Sequence, residues 1–286
     1  MDSKAGDAKP GDAKPGAAKP RIVLQNVRKE YETEGSRLLA VDDVSLSIGE
    51  GEFISFIGPS GCGKTTILNM IAGFQLPSSG TIALDGKAIT APGPERGVIF
   101  QDYGVFPWLS VKDNICFGPS LKANYAAPEE RARVAQHYID LMGLRGFENA
   151  WPKTLSGGMR QRVALARAYA VKSEFLLMDE PFGALDAQTR SVMQDLLLQV
   201  LESEGKTVAL ITHSVDEALY LSNRVVVITA RPARIKTIID VPFPYPRREE
   251  LHRSPEFAEL QYQVHETVMR EYANQQRLGG AAAHQD

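Results

Sequence analysis

Two stretches of this sequence set side by side residue types that could act on a phosphate. GPSGCGKTT (58–66) alternates glycines with small residues and ends on a lysine and two hydroxyls. Its first eight residues fit the pattern G-x-x-x-x-G-K-[ST]. Glycines let backbone N–H groups curl around phosphate oxygens, and a helix that starts there adds partial positive charge. Gly58, Pro59, Ser60, Gly61, Cys62 and Gly63 then form a cradle with Thr66 at its edge. Lys64 can reach the β and γ phosphates of a nucleotide, and the Thr65 hydroxyl is a ligand for Mg2+. FLLMDEP (175–181) supplies carboxylates. Its four apolar residues predict a buried strand, and Asp179 emerges at the carboxyl end, where ligands sit in open α/β sheets. Asp179 suits Mg2+, directly or through water. Glu180 is placed to orient or deprotonate an attacking water.

A second Ser-Gly-Gly, in LSGGMRQR (155–162), lies far downstream of the first loop. Ser156 offers a hydroxyl, and Gly157 and Gly158 permit close backbone approach at a helix start. A chain that already has one phosphate loop needs a reason for the second.

These residues must be held by strands and helices, and the pattern supplies both. Short β-branched runs at 22–27, 44–48, 52–57, 81–84 and 97–100, punctuated by turn residues, make the first third strand-rich. KTTILNMIAGF (64–74) predicts a helix opening on the glycine loop, and 157–171 another opening on Gly157 and Gly158. Residues 128–144 predict an amphipathic helix with Pro128 in its first turn, Glu129 and Glu130 near its start and Gly143 at its end. FLLMD (175–179), TVALIT (207–212) and RVVVIT (224–229) are near-continuous apolar runs separated by helical stretches, as in a parallel sheet covered on both faces. A last helix is expected over about 249–275.

Bulk properties bound the class. A chain of 286 residues, 43% hydrophobic and 23% charged, can bury a substantial core. Its formal net charge of −3 gives no basic footprint for nucleic acid. Two cysteines, Cys62 and Cys116, imply no disulfide framework and a reducing compartment. No apolar run reaches bilayer length and the N-terminus lacks the apolar stretch of a signal peptide, so service to a membrane is expected through a partner. Residues 4–20 repeat a degenerate GDAKP unit that cannot offset the entropy of ordering, and are expected to be disordered.

With LSGGM (155–159) in place, the sequence closely resembles the ATP-binding subunits of ABC transporters from about residue 22 to 241, with the motifs in the expected order. The resemblance implies an α/β fold: a RecA-like P-loop NTPase core with an antiparallel β subdomain and a helical subdomain over about 103–165. The corresponding division is a tail at 1–20, the ATPase domain at 21–245, and a C-terminal helix with a polar tail at 246–286. It implies ATP and Mg2+ as ligands and adds site residues. Tyr31 matches the aromatic that stacks on adenine. Gln101 matches the glutamine loop, touching Mg2+ and the attacking water and relaying to the membrane partner. Asp186 in GALD (183–186) communicates across a dimer, and His213 in ITHSVDEA matches the switch histidine at the γ-phosphate. It also explains the second glycine stretch. Two subunits pack head to tail, and the Ser156, Gly157 and Gly158 of one close on the γ-phosphate held by the other. The chain departs from the family at Met159, where Gln is usual, leaving the preceding Ser-Gly-Gly intact.

Two classes of ABC protein compete. A soluble ABC ATPase acting without a permease usually carries two cassettes or long coiled-coil insertions, and neither occurs in this sequence. A small-molecule kinase would account for neither LSGGM nor His213. The importer ATPase is favoured: a homodimer, or a dimer with a close paralogue, beneath two permease subunits fed by a solute-binding protein. It is expected peripherally, on the cytoplasmic face of the inner membrane. PGPERGVIFQ (92–101), FPWLSVKDNICFG (106–118) and ARPARIKTIIDV (230–241) resemble the nitrate, sulfonate and taurine importer ATPases, which typically write Pro-Trp-Leu where Pro107, Trp108 and Leu109 stand. Phe106 and Trp108 are read either as an apolar wall for a partner's coupling helix or as core of the helical subdomain. After Val241 about forty-five residues remain, too few for the regulatory barrel of sugar-importer ATPases.

Overall fold

The computed structural model describes residues 19–33, 35–100, 104–121, 126–171, 173–183 and 185–282. Strands β1 (Pro20–Thr33) and β2 (Ser36–Gly49) form a long hairpin, and β3 (Phe53–Ile57) leads into helix α1 (Lys64–Ala72). β4 (Ser79–Leu84), β5 (Lys87–Ala88) and β6 (Arg96–Ile99) follow. Three helices come next: α2 (Val111–Ser120), α3 (Pro128–Leu141) and α4 (Gly157–Ala170). The chain then alternates β7 (Phe175–Asp179), α5 (Ala187–Glu204), β8 (Thr207–Ile211), α6 (Val215–Leu221) and β9 (Arg224–Ile228). It finishes on β10 (Ile235–Asp240) and α7 (Pro255–Ala282).

Two sheets result. β2, β1, β4 and β5 lie in that order as an antiparallel sheet. The central sheet runs β10-β9-β3-β8-β7-β6, parallel except for β10, which pairs antiparallel with β9 at the edge. Its inner strands send alternate residues to opposite faces, the period of a pleated strand. Phe53, Ile57, Leu176, Met178, Val208, Leu210, Val225 and Val227 join one apolar core with α2 to α7. Ile54, Phe56, Phe175, Leu177, Ala209, Ile211, Val226 and Ile228 join a second, shared with α1 and the antiparallel sheet. Burial on both faces is why these strands read as unbroken apolar runs. α2 packs on α3 and α4, so the three helices form a layer of their own beside β6.

The structure departs from the sequence expectation at several points. β1 starts at Pro20, opposite Gly49, so the last residue assigned to the tail belongs to the sheet, whereas residues 1–18 lie outside the described residues. β1 and β2 extend well past their apolar runs. Asn26 and Asp43 turn into left-handed backbone where the register shifts, and Asn26 Nδ2 donates to Asp43 Oδ1 at 2.9 Å. α3 stops at Leu141 rather than 144 because Gly143 takes positive φ. The expected last helix is divided. Glu249–Arg253 is a 3-10 turn, Ser254 is extended, and α7 opens on Pro255 with Phe257 N–H donating to Ser254 Oγ at 3.2 Å. A proline has no N–H to give and fits the first helical position, so the break falls there. α2 was missed, although Ser110 and Asp113 carry its capping signal: the Asp113 amide donates to Ser110 Oγ at 3.1 Å.

Candidate active site

Loop 58–63 leaves the buried end of β3 and becomes α1. It is pressed between β9 and β2. A Cβ on Gly58 would lie 2.6 Å from the Ile228 carbonyl oxygen, and one on Gly63, at φ 122°, would lie 2.8 Å from that of Ala40. No side chain larger than hydrogen fits at either place. α1 begins on Gly63 without a side-chain cap. By contrast, α2, α4, α5 and α6 are capped by Ser110, Ser156, Asp186 and Ser214. The first-turn amides of α1 therefore keep their hydrogen-bonding capacity for oxygens brought to the loop. Lys64 is buried, and its Nζ donates to the Gly58 and Pro59 carbonyls at 2.8 and 2.9 Å. Ser60, Gly61 and Thr65 are exposed, while Thr66 is half-buried. The Cys62 side chain is core, and burial pushes its thiol pKa up, so this residue can offer a ligand only its main chain. The Tyr31 hydroxyl donates to Gln75 Oε1 at 2.5 Å and lies 3.4 Å from Thr66 Oγ1, which sets its ring beside α1.

The carboxylates approach from the neighbouring strand ends. Asp179, last in β7, is paired with Ile211, last in β8. The Thr65 hydroxyl faces the Asp179 carboxylate closely enough to favour its charged form. Burial raises the Asp179 pKa and the Glu180 charge adds to this, against the Thr65 hydroxyl and the Lys64 charge. A hydroxyl and a carboxylate facing one another form a hard-oxygen pair of the kind Mg2+ takes. Glu180 adopts φ 46°, uncommon for a residue with a Cβ, and its N–H donates to the Ile211 carbonyl at 2.9 Å. The turn brings Glu180 Oε2 to 3.4 Å from Nδ1 of His213, whose side chain is half-exposed.

A residue the sequence reading passed over supports this turn. Glu217 in α6 is buried, and its Oε2 accepts from Thr212 Oγ1 at 2.9 Å. Thr212 Oγ1 in turn accepts the Ser214 amide at 3.0 Å, so His213 sits between two tethered neighbours. Glu217 Oε1 has no partner among the described residues. Burial pushes the Glu217 pKa up to about 7; the Thr212 bond and Arg190 oppose this, and Asp216 and Glu180 reinforce it. The available signal was Ser-x-x-Glu at 214–217, a helix-start pattern.

Ser156, Gly157, Gly158 and Asp186 form a separate group. Ser156 is exposed and accepts the Met159 amide at 3.3 Å. A Cβ on Gly158 would lie 2.8 Å from Thr189 Cγ2. Asp186 accepts from the Thr189 amide and hydroxyl at 2.9 and 2.7 Å, and these bonds hold its carboxyl below the usual range. Met159 packs against the larger core. Among the described residues no hydrogen bond joins this group to loop 58–66, Asp179 or Glu180. Gln101 lies outside the described residues.

A strand, a glycine cradle, a lysine-opened helix and a carboxylate on the adjacent strand end define a nucleotide-binding P-loop protein. The sequence profile of the ABC transporter family matches residues 41–183. An ABC transporter ATP-binding protein of Methanocaldococcus jannaschii is 50% identical over 227 residues, 79% of this chain and 84% of that one. The nitrate import ATP-binding protein NrtD of Synechococcus elongatus is 43% identical over 250 residues, 87% of this chain and 91% of that one. Among solved structures, a dimeric post-hydrolysis state of an ATP-binding cassette bound to ADP and phosphate superposes with a TM-score of 0.68 at 30% identity, covering 78% of this chain and all of that one. The chain belongs to the ABC transporter family; it is an ATP-binding subunit that hydrolyses ATP.

The environment of Glu217 carries a pH dependence. Its carboxyl titrates near 4.5 when unperturbed and near 7 in the folded protein, so in that window the native state holds a proton the unfolded chain has released. Stability therefore falls as pH rises from 4.5 to 7 and levels off above it. Glu217→Gln keeps an acceptor for Thr212 and removes the charge. At pH 8 it is expected to exceed wild type in stability by up to about 3 kcal/mol, with the gain vanishing towards about pH 4.5. Urea midpoints at the two pH values measure this, and coincident curves at pH 8 would refute it.

Proposed function

We propose that this chain powers a membrane importer for nitrate or a similar small anion, as one of two ATPase subunits docked peripherally on the cytoplasmic side of two permease subunits. The observation that carries the catalytic part is that Asp179, Glu180 and His213 leave adjacent strand ends together, Glu180 lying 3.4 Å from His213. Main-chain amides of Gly58, Pro59's successors Ser60 and Gly61, and Cys62 to Thr66 hold the β and γ phosphates, and Lys64 supplies the cation across them. Tyr31 stacks on the base. Thr65 and Asp179, with Gln101, would hold Mg2+, which would neutralise charge on the phosphate oxygens. Glu180 takes a proton from the attacking water. His213 keeps that carboxylate oriented and contacts the γ-phosphate.

Ser156, Gly157 and Gly158 serve the nucleotide held by a second copy, with Asp186 communicating across the interface. In support, Ser156 and Asp186 cap neighbouring helices that meet where Thr189 abuts Gly158, and a cassette of similar fold has been solved as a dimer with ADP and phosphate. The permease contact falls to the aromatics after Gln101. Trp108 is 67% exposed, and its ring centroid lies 5.5 Å from that of Phe106, which packs on Phe117 at 4.6 Å. An exposed aromatic cluster suits a helix laid into a groove. Among the described residues no helix is long and apolar enough to cross a membrane, in keeping with attachment through partners. The solute class rests on the nitrate importer likeness, and a solute-binding protein would deliver the anion to the permease.

Three outcomes test this. Glu180→Gln retains the shape of the side chain and loses the base. ATP should bind while hydrolysis falls by about 10²–10⁴-fold, and the dimer should persist in ATP on size exclusion; unchanged turnover would remove Glu180 from this role. Trp108→Ser should keep ATPase activity in solution yet fail to co-purify with the permease, and undiminished co-purification would exclude the aromatic cluster as the dock.

The third concerns the shared site. Lys64→Ala and Ser156→Arg should each be inactive alone, the second because a bulky side chain replaces a small hydroxyl. Mixed together, they form dimers in which one site carries both lesions and the other none. Cross-linking in Mg-ATP should then recover part of the nucleotide-dependent association. A mixture no better than either variant alone would contradict sharing between subunits.

A further inference from the structure

Four consecutive carbonyls of the phosphate loop each accept a side-chain donor. Lys64 takes those of Gly58 and Pro59 from within the loop, at 2.8 and 2.9 Å. The next two are taken by residues far along the chain. Gln275 Nε2, in α7, donates to the Ser60 carbonyl at 2.8 Å. Arg231, between β9 and β10, donates from Nε and a terminal nitrogen to the Gly61 carbonyl at 3.2 and 2.6 Å. We propose that Arg231 and Gln275 are positioning residues for the nucleotide loop, through which the C-terminal helix α7 sets the affinity for ATP.

The physical basis is the rigidity of the peptide group. Its C=O and N–H point in opposite directions across one plane. Holding the Ser60 carbonyl on Gln275 therefore orients the Gly61 amide, and holding the Gly61 carbonyl on Arg231 orients the Cys62 amide. Gly61 has φ 71° and is exposed, so the loop is least restrained by its own sterics at this point. The Cys62 amide also donates to the Pro59 carbonyl at 3.3 Å, so the Gly61–Cys62 peptide is held from both sides and the Ser60–Gly61 peptide from outside alone, while Lys64 remains free to exchange its carbonyls for phosphate. The nucleotide then meets a cradle whose ordering entropy has already been spent, which favours binding.

Both clamps are themselves held by one anchor. Phe257, Val264 and Val268 bury one face of α7 in the core. One turn before Gln275, the buried Glu271 accepts the Ala230 amide at 3.2 Å and pairs with Lys236 Nζ at 3.3 Å. Ala230 directly precedes Arg231. A buried carboxylate cannot leave such partners without a large penalty, so Glu271 locks the register of α7 against β9 and β10. That single anchor presents Gln275 from one side and Arg231 from the other.

The inference rests on the ATPase reading of loop 58–66, and the experiment separates the two. Binding of a fluorescent ATP analogue, melting temperature and steady-state hydrolysis are measured on the full chain for wild type, Arg231→Ala, Gln275→Ala and the double variant. Each single change should raise Kd and KM for ATP by about 3- to 10-fold, with little effect on kcat at saturation or on melting temperature. Arg231→Lys, which keeps a donor, should recover part of the affinity. Gln275→Glu, which keeps the shape and loses the donor, should not. General damage to α7 packing would instead lower melting temperature and the active fraction together, and that result overturns the proposal, as does a double variant with wild-type Kd. Wild-type protein that binds no ATP overturns the ATPase reading and this inference with it.

Discussion

Ile211 is paired on both sides at the end of β8, with Asp179 of β7 and with Phe56 of β3. The pairing continues beyond it: the Glu180 amide donates to the Ile211 carbonyl, and the Thr212 amide donates to that of Phe56. Three chain segments thus leave the sheet side by side. One becomes the glycine cradle, one the carboxylate pair and one the histidine turn. A parallel sheet enforces this because its strands all run the same way, so their carboxyl ends lie at one edge. The full burial of β3 and β8 makes a register slip costly, since each side chain would cross to the other core. The placement of Asp179 beside Glu180, and of Glu180 at 3.4 Å from His213, follows from that register.

Local chemistry was legible in the sequence where a short pattern fixes a backbone shape. The loop 58–66, the strand ending on Asp179 and the helix opening at Gly157 could be read directly, because glycine spacing and unbroken apolar runs are local signals. Extended β1 and β2 were less legible: the outer half of β1, RKEYET (28–33), is largely charged and polar, and only pairing across the hairpin makes it a strand. The break at Ser254 was available in Pro255 and was overridden by the helical composition around it. Glu217, Arg231 and Gln275 belong to a third kind. Each looks like an ordinary polar residue in its own segment, and its position relative to loop or turn depends on elements distant in the chain.

Thr189 gives the second group of residues a mechanical unity. Its methyl abuts the place where Gly158 has no Cβ, while its amide and hydroxyl both bond Asp186. The start of α4 and the start of α5 are therefore joined through one side chain. A displacement of either cap should carry the other with it, which suits two stretches assigned to the same subunit interface. It also means that Gly158 is required for packing within its own chain, whatever it does for a phosphate.

Cys62 lies inside the glycine loop 58–66 with its side chain fully enclosed, and the second thiol of the chain, Cys116, is only half-buried. An enclosed thiol with a raised pKa reacts only when its surroundings part. The protein thus carries a clock within its own binding loop. The rate at which Cys62 is modified, read against Cys116 as the internal reference, counts how often the loop opens. A bound nucleotide, or any partner that quiets the loop, would slow that clock without a label having been introduced.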